Sequence, residues 1–292
     1  NQICSFIPIF GTRKFGTQSL FGHSDLQHSH LEVHFMVSMF ITIFTLQYKN
    51  RASNMKISKS FLKTFISFSF IILTYGSAQE YSLSFDGDDD YVSFTNVYQF
   101  SGASDFTIGM WVYCNDLGSE DYGTIFLNTG QDGQTGGLEI RFGAEYNGEL
   151  YVRLDYYGVG DGGTNPPDWN PIENISVGEW EHILFTKSGN LITIYLNGNY
   201  NGEVTWGDEA NGAPASSQNW YLGYNPFESS HYYDGNMDHF TIWDYALTES
   251  EIQATMGNVL NGNETGLVGY FDFNEGTGTT LTDQTSNDND GT

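Results

Sequence analysis

Carboxylates and aromatic rings are the groups in this chain whose spacing suits chemistry. Asp86-Gly87-Asp88-Asp89-Asp90 sets four carboxylates around one glycine. Calcium takes roughly six to eight oxygens from carboxylates, amides and carbonyls, so an oxygen-rich turn of this kind is a candidate cation site, although a run of like charges is otherwise a solvated turn. The aromatics Tyr156, Tyr157, Trp169, Trp206, Tyr224, Phe227, His231, Tyr232 and Tyr233 lie in or beside Gly/Asn/Pro-rich segments and not at alternating core positions. Flat rings there stack on the apolar faces of sugars while neighbouring Asn, Asp and Gln bind the hydroxyls, which would make a glycan platform. The competing reading folds Trp169 and Trp206 back as lids over the core.

Catalytic chemistry finds less support. Retaining glycoside hydrolysis needs two carboxylates about 5 to 5.5 Å apart. Glu139, Glu145 and Glu149 come closest, but Gly143 and Asn147-Gly148 interrupt the run, so these residues are expected at a solvated edge and no catalytic residue is assigned. A Gly-x-Ser-x-Gly elbow, a phosphate loop and a His-Glu-x-x-His motif are all missing. His23, His28, His30 and His34 have spacing that fits no tetrahedral metal site.

Charge divides the chain in two. Of 36 acidic residues only Asp25 and Glu32 precede Gln79, whereas seven of the ten Lys and Arg do, so the remainder carries 34 acids against Arg141, Arg153 and Lys187. A surface that negative repels nucleic acid and anionic headgroups, which excludes nucleic acid as a partner. It also calls for a large core, salt or bound cations to offset self-repulsion.

At the junction Met55 to Gln79 reads MKISKSFLKTFISFSFIILTYGSAQ: three lysines, an apolar stretch, then Gly76-Ser77-Ala78. This is the pattern of a secretory signal peptide, and its apolar run is shorter than the ~20 residues of a membrane span. Residues 1–54 therefore read as an upstream extension, disordered or not translated, and 55–78 as the signal peptide. A secreted or cell-surface location follows, with no membrane insertion of the mature domain. Cys114 is then the one mature thiol, expected as a small buried hydrophobe.

Beyond Gln79 short alternating runs recur between turn signals, among them Phe106 to Cys114, Leu138 to Phe142, His182 to Thr186 and Leu191 to Leu196. The pattern predicts an all-β antiparallel sandwich. Ser188-Gly189-Asn190 and Asn197-Gly198 read as hairpin turns, and 158–171 as a long surface loop. One short helix is legible, with Thr248 as N-cap, Glu251 answering it and Gly257 ending it. The domain is placed at 79–260. Residues 261–292 read as a closing strand followed by the start of a truncated C-terminal region, with TSNDND too acidic for a core and further modules expected beyond Thr292.

SLSFDGDDDYVSF, DFTIGMWVY, GEWEHILFTKSGNLITIYLNG and YDGNMDHFTIWDYALTESEIQ, in that order, resemble the strand signatures of LamG-like jelly-roll domains of the concanavalin A-like lectin/glucanase superfamily. GLVGYFDFNEGTGTTLTD is similar to the segment that follows such domains in secreted proteins of Bacteroidetes-like bacteria. The resemblance implies a jelly-roll sandwich and a ligand-recognition role. It also implies a structural calcium ion held by Asp86, Gly87 and Asp238, which match the family's Phe-Asp-Gly turn and Gly-x-x-Asp segment. Hydrolases of the superfamily carry Glu-x-Asp-x-x-Glu, a spacing missing here. The expected function is thus a non-catalytic carbohydrate-binding module, the alternatives being a cell-surface adhesion or protein-interaction module and a polysaccharide hydrolase. The expected partner is a glycan or a surface protein.

Overall fold

The computed structural model describes residues 5–8, 81–94, 105–115, 122–129, 137–144, 150–157, 172–173, 175–205, 219–227 and 232–292. The expected signal peptide, nearly all of the expected leader, the 158–171 loop with Trp169, and also Trp206 and His231 lie outside these residues. In chain order the strands are β1 (Ser5–Pro8), β2 (Tyr81–Asp86), β3 (Val92–Phe94), β4 (Phe106–Cys114), β5 (Tyr122–Thr129), β6 (Gly137–Ala144), β7 (Leu150–Tyr157), β8 (Ile172–Glu173), β9 (Trp180–Ser188), β10 (Leu191–Leu196), β11 (Asn199–Thr205), β12 (Trp220–Leu222), β13 (Asp234–Trp243) and β14 (Leu267–Phe271). Helix α1 (Glu249–Thr255) lies between the last two strands.

These strands make two antiparallel sheets. Among the described residues one sheet has eight strands in the order β1-β2-β13-β4-β9-β10-β11, with β14 also on β13, and the other has six in the order β3-β12-β5-β6-β7-β8. Period-two alternation sends one side of each strand into the space between the sheets. Met110 and Val112 of β4, Leu138, Ile140 and Phe142 of β6, and Phe94 of β3 share a single buried cluster there. The described residues make an all-β sandwich with one short helix, as the alternation predicts. Cys114 is buried within that core.

Local chemistry explains the turns. The β9–β10 hairpin pairs Ser188 with Leu191 across Gly189 and Asn190, and Gly189 takes φ 56°. The β10–β11 hairpin pairs Leu196 with Asn199, leaving Asn197 (φ 51°) and Gly198 (φ 74°) in the left-handed conformations that let two residues reverse a twisted ribbon. Thr248 caps α1 and Glu251 returns a bond to the Thr248 amide, a full capping box. Those bonds hold the Glu251 carboxyl below its usual pKa. α1 buries Ile252 in a second cluster with Leu184, Tyr195, Trp243, Leu247, Leu267 and Tyr270, on the side of the eight-stranded sheet away from the core. That face is therefore covered.

β13 serves two partners along the same edge. Its first half pairs with β2, Asp234 opposite Asp86 and Met237 opposite Leu83, and its second half pairs with β14, Phe240 opposite Phe271. The change of partner coincides with an irregularity between Asp238 and Thr241 in the β4 pairing and with His239 at φ 49°. An extra residue in one strand bends it and raises its twist, which is what a strand shared end to end requires.

Two segments behave differently from the sequence reading. Within the expected leader, Ser5–Pro8 forms β1 on the β2 edge, Ser5 opposite Ser84 and Pro8 opposite Tyr81, with Phe6 packed on the core. The acidic tail is not solvated throughout: Asp283 and Thr285 are buried, and Phe271, Phe273 and Leu281 join the main core. The reason is internal satisfaction of the carboxylate. Asp283 accepts from the amides of Tyr270, Thr285 and Asn289, from Thr285 Oγ1 and from Asn289 Nδ2. A buried charge is tolerated when its oxygens are this fully bonded. Thr292 then exchanges both backbone bonds with Ser93 on the β3 edge, so residues 267–292 complete the same sandwich.

Candidate ligand-binding site

The outer face of the six-stranded sheet has no helix on it among the described residues. Its aromatic end forms around β12. Trp220 and Leu222 point into the core, so Tyr221 between them points out. Tyr221 meets Tyr91, which leads into β3, at 6.3 Å between ring centroids, and Tyr224 at 6.2 Å. Tyr224 lies 5.3 Å from Tyr91 and stacks on Tyr232 at 4.5 Å and 14°. All four rings are half-buried, each keeping part of its surface in solvent. Phe227 beside them is 39% exposed, its amide bonded to Asn225 Oδ1.

A polar strip continues from the tyrosines across the sheet. Asn225 Nδ2 donates to Glu139 Oε1 on β6 at 3.2 Å, and Thr124 Oγ1 on β5 donates to the same oxygen at 2.8 Å. Glu139 is 1% exposed, a correction to the solvated edge expected for it. Strand alternation explains its outward position, since Leu138 and Ile140 on either side fill the core, while hydrogen bonds from two flanking elements allow its burial. Arg141 follows two residues on, and Tyr151 lies across Gly143, where a Cβ would come within 2.4 Å of the ring.

The acidic turn lies at the tyrosine end. One oxygen from each of Asp86, Asp89 and Asp90 lies within 4.8 Å of the others. Asp86 Oδ1 accepts from the Asp88 and Asp89 amides, and Asp90 Oδ2 from the Asp86 amide. Gly87 sits at φ 78°, and a Cβ there would come 2.9 Å from the Asp234 side chain, so both backbone angle and space require glycine. Burial, and next the Asp86 charge, raise the Asp90 carboxyl above its usual pKa. The Tyr232 phenol is pushed up to about 12, first by burial, then by its bond with Tyr224, with the Asp89 charge contributing. The turn and the ring cluster thus share one electrostatic environment.

Only part of the expected site set is brought together. Tyr224 and Tyr232 join the platform, with Phe227 next to them. Tyr233 does not: it is 1% exposed, packed on Phe142 and edge-on to Phe85, and burial carries its phenol well above the ordinary range. Adjacent residues of an extended segment point to opposite sides, so Tyr232 and Tyr233 cannot both be on the surface. Tyr156 and Tyr157 belong to β7 itself, opposite Leu138 and Gly137, and not to the loop after it. Trp169 and Trp206 lie outside the described residues. Asp86 and Asp238 are not neighbours: Asp234 stands opposite Asp86, and Asp238 is four residues further along β13, about 13 Å at strand rise. Asp238 is fully buried and bonds His239 through its backbone amide and Nδ1. The residues missed were Tyr91, Tyr221, Asn225 and Thr124, and the Trp220-Tyr221-Leu222 alternation of β12 carried a usable signal only for Tyr221.

Two antiparallel sheets packed face to face define the class of sandwich to which many lectins and glucanases belong. Residues 86–253, more than half of the chain, match the family model of the concanavalin A-like lectin/glucanases superfamily, laminin G type, and the chain belongs to this family. Among solved structures, a Bacteroides ovatus protein assigned as carbohydrate-binding aligns at 22% identity and TM-score 0.51, over 69% of this chain and 55% of that one. The enzymatically active domain of tailspike protein 2 from bacteriophage CBA120 aligns at 11% identity and TM-score 0.50, over 66% and 30%. A pentraxin from Limulus polyphemus aligns at 18% and TM-score 0.46, over 59% and 79%. This chain thus spans about half of the Bacteroides protein and under a third of the phage domain. No curated protein matches the sequence. Among the described residues no helix is long and apolar enough to cross a membrane.

Proposed function

We propose that this chain is a secreted or cell-surface, non-catalytic recognition module whose ligand is a carbohydrate. The observation that carries the reading is the gathering of Tyr91, Tyr221, Tyr224 and Tyr232, each half-buried with part of its ring in solvent. Ring faces of this kind cover the apolar side of a sugar. The signal-peptide pattern at 55–78 supports export. Against hydrolysis stands the burial of Glu139, which leaves it unavailable to a glycosidic oxygen.

Calcium belongs to the same reading. Asp86, Asp89 and Asp90 fit a hard cation: their oxygens converge, and the Asp86 and Asp89 charges, after burial, help to raise the Asp90 pKa, a repulsion that a divalent ion would relieve. The ion would be held by these three carboxylates, with Asp238 no part of the set, and would fix the turn beside Tyr91. The test is a glycan array with and without calcium, using wild type and Tyr224→Ala. Binding that Tyr224→Ala abolishes supports the reading. Silence in both arms, with retention of a cell-surface protein instead, would replace it with adhesion, and release of reducing ends from a polysaccharide would replace it with hydrolysis.

A further inference from the structure

Strand β1 differs from the rest of the sandwich in its place along the chain. Ser5–Pro8 lies upstream of the signal-peptide pattern at 55–78, so cleavage after Ala78 removes it, whereas β2, the strand it covers, begins beyond that point at Tyr81. β2 is held on its other side by β13, through Asp86, Phe85, Ser84 and Leu83, and meets β1 through Ser84, Leu83, Ser82 and Tyr81. Loss of β1 turns β2 into an edge strand with unpaired backbone groups. Folded sheets cover such an edge, twist it away, or use it to receive another strand.

The strand now seated there defines what the edge takes. Phe6, opposite Leu83, packs on the main core, while its neighbour Ile7 points away and is 37% exposed, so one inward apolar side chain anchors the strand. Opposite Pro8, the Tyr81 amide already donates to Asn274 Oδ1 at 2.9 Å, and a proline, which has no amide hydrogen, is accommodated at that position. At the other end the pairing stops at Ser84, two residues before the exposed Asp86 that closes β2. Carrying the antiparallel register two residues further sets a side chain opposite Asp86, at the mouth of the acidic turn, where a cation is favoured. A second copy of this chain does not suit the edge, since two domains with 34 acids each against Arg141, Arg153 and Lys187 repel one another.

We propose that the β2 edge of the processed protein is a strand-acceptor site for an extended peptide segment of a partner protein, one with a Lys or Arg opposite Asp86 and an aromatic or aliphatic side chain at the Phe6 position. The proposal rests on the export reading above, which removes β1, and is independent of what the tyrosines bind. Main-chain bonds to β2 supply affinity, and the inward apolar position supplies selection.

The probe is a synthetic peptide of residues 2–9 with Cys4→Ser, its binding read by fluorescence anisotropy. It is offered to the full chain, to the full chain carrying Phe6→Asp, which sets a charge against the core and releases its own strand, and to the form recovered from a secreting host, with its N-terminus read by mass spectrometry. The peptide is expected to bind the Phe6→Asp chain and the secreted form at least tenfold more tightly than the full chain, whose edge is filled. Phe6→Asp in the peptide should cost at least tenfold. Ile3→Lys, which puts a cation opposite Asp86, should gain at least threefold at low salt and lose that gain at about 1 M salt, where screening acts within about 3 Å. Equal affinity for the full chain and its Phe6→Asp variant, or indifference to Phe6→Asp in the peptide, would overturn the acceptor site. Should the Phe6→Asp chain not unfold cooperatively, the secreted form decides: failure to bind the peptide while unfolding cooperatively would overturn the site as well. An Ile3→Lys peptide that binds no more tightly would remove the basic residue from the partner's description. A secreted form that keeps residues 5–8 would overturn the export reading and the proposal with it, and the mass spectrum separates that failure from the peptide's.

Discussion

Replacing Asp283 with alanine tests whether the acidic tail is part of the folding unit. The carboxylate is 5% exposed and accepts five hydrogen bonds of 2.8 to 3.1 Å from Tyr270, Thr285 and Asn289. Truncation leaves the Tyr270 and Thr285 amides, both buried, without that acceptor. Each unsatisfied buried donor costs about 1–3 kcal/mol, while the partly buried Asn289 groups can turn to water. The loss should therefore be about 2–6 kcal/mol, a large share of the ~5–15 kcal/mol that stabilises an ordinary domain. Asp283→Asn, which keeps one acceptor oxygen but turns an amide NH2 toward the same donors, should fall between. Urea unfolding followed by tryptophan fluorescence reads this as a fall in midpoint of about 0.7–3 M at unchanged slope, for a slope of ~2–3 kcal/mol/M. A shift worth under ~0.5 kcal/mol would refute the reasoning, because residues 267–292 would then contribute little to the cooperative core. A clearly smaller slope would instead show the tail detaching before the rest unfolds.

Other outcomes follow from the same geometry. Tyr224→Ala or Tyr232→Ala should weaken glycan binding by roughly three- to tenfold, matching ~0.5–1.5 kcal/mol per aromatic contact, without loss of far-ultraviolet circular dichroism; unchanged affinity in both would discard the platform. Calcium at about ten times its dissociation constant should stabilise by ~1.4 kcal/mol and raise Tm by a few degrees, and Asp90→Asn should erase that rise in differential scanning fluorimetry. Because Asp90 has a raised pKa in the fold, its favourable contribution is present at low pH and lost as pH rises through that pKa, so Asp90→Asn without calcium should be at least as stable as wild type at pH 7. Tyr232 and Tyr233 also have raised pKa values, so their contribution is full below the ordinary value of about 10 and falls as pH climbs beyond it. Stability should then drop above about pH 10, with the Tyr233 tyrosinate absorbance emerging only together with unfolding; its appearance in the folded protein near pH 10 would contradict the burial described.

What the sequence determined by itself was whatever depends on near neighbours. Alternation in Phe106 to Cys114 and Leu191 to Leu196 specifies strands, Asn197-Gly198 specifies a two-residue turn, and Thr248 with Glu251 specifies a helix start, because each is settled within a few residues. Tyr224 and Tyr232 were legible as surface aromatics for the same reason. Tertiary structure decided what depends on register between distant strands. It set Asp234, not Asp238, opposite Asp86, and it drew Tyr91 and Tyr221 to the rings of the 224–232 segment. It also placed Arg141 against Arg153 and supplied Glu139 and Asp283 with the donors that let carboxylates lie buried. Asn225 lies 86 positions from Glu139 and Tyr270 lies 13 from Asp283; partners that strand pairing and chain return bring together leave no periodic mark near the residue they serve, so only the folded chain reveals them.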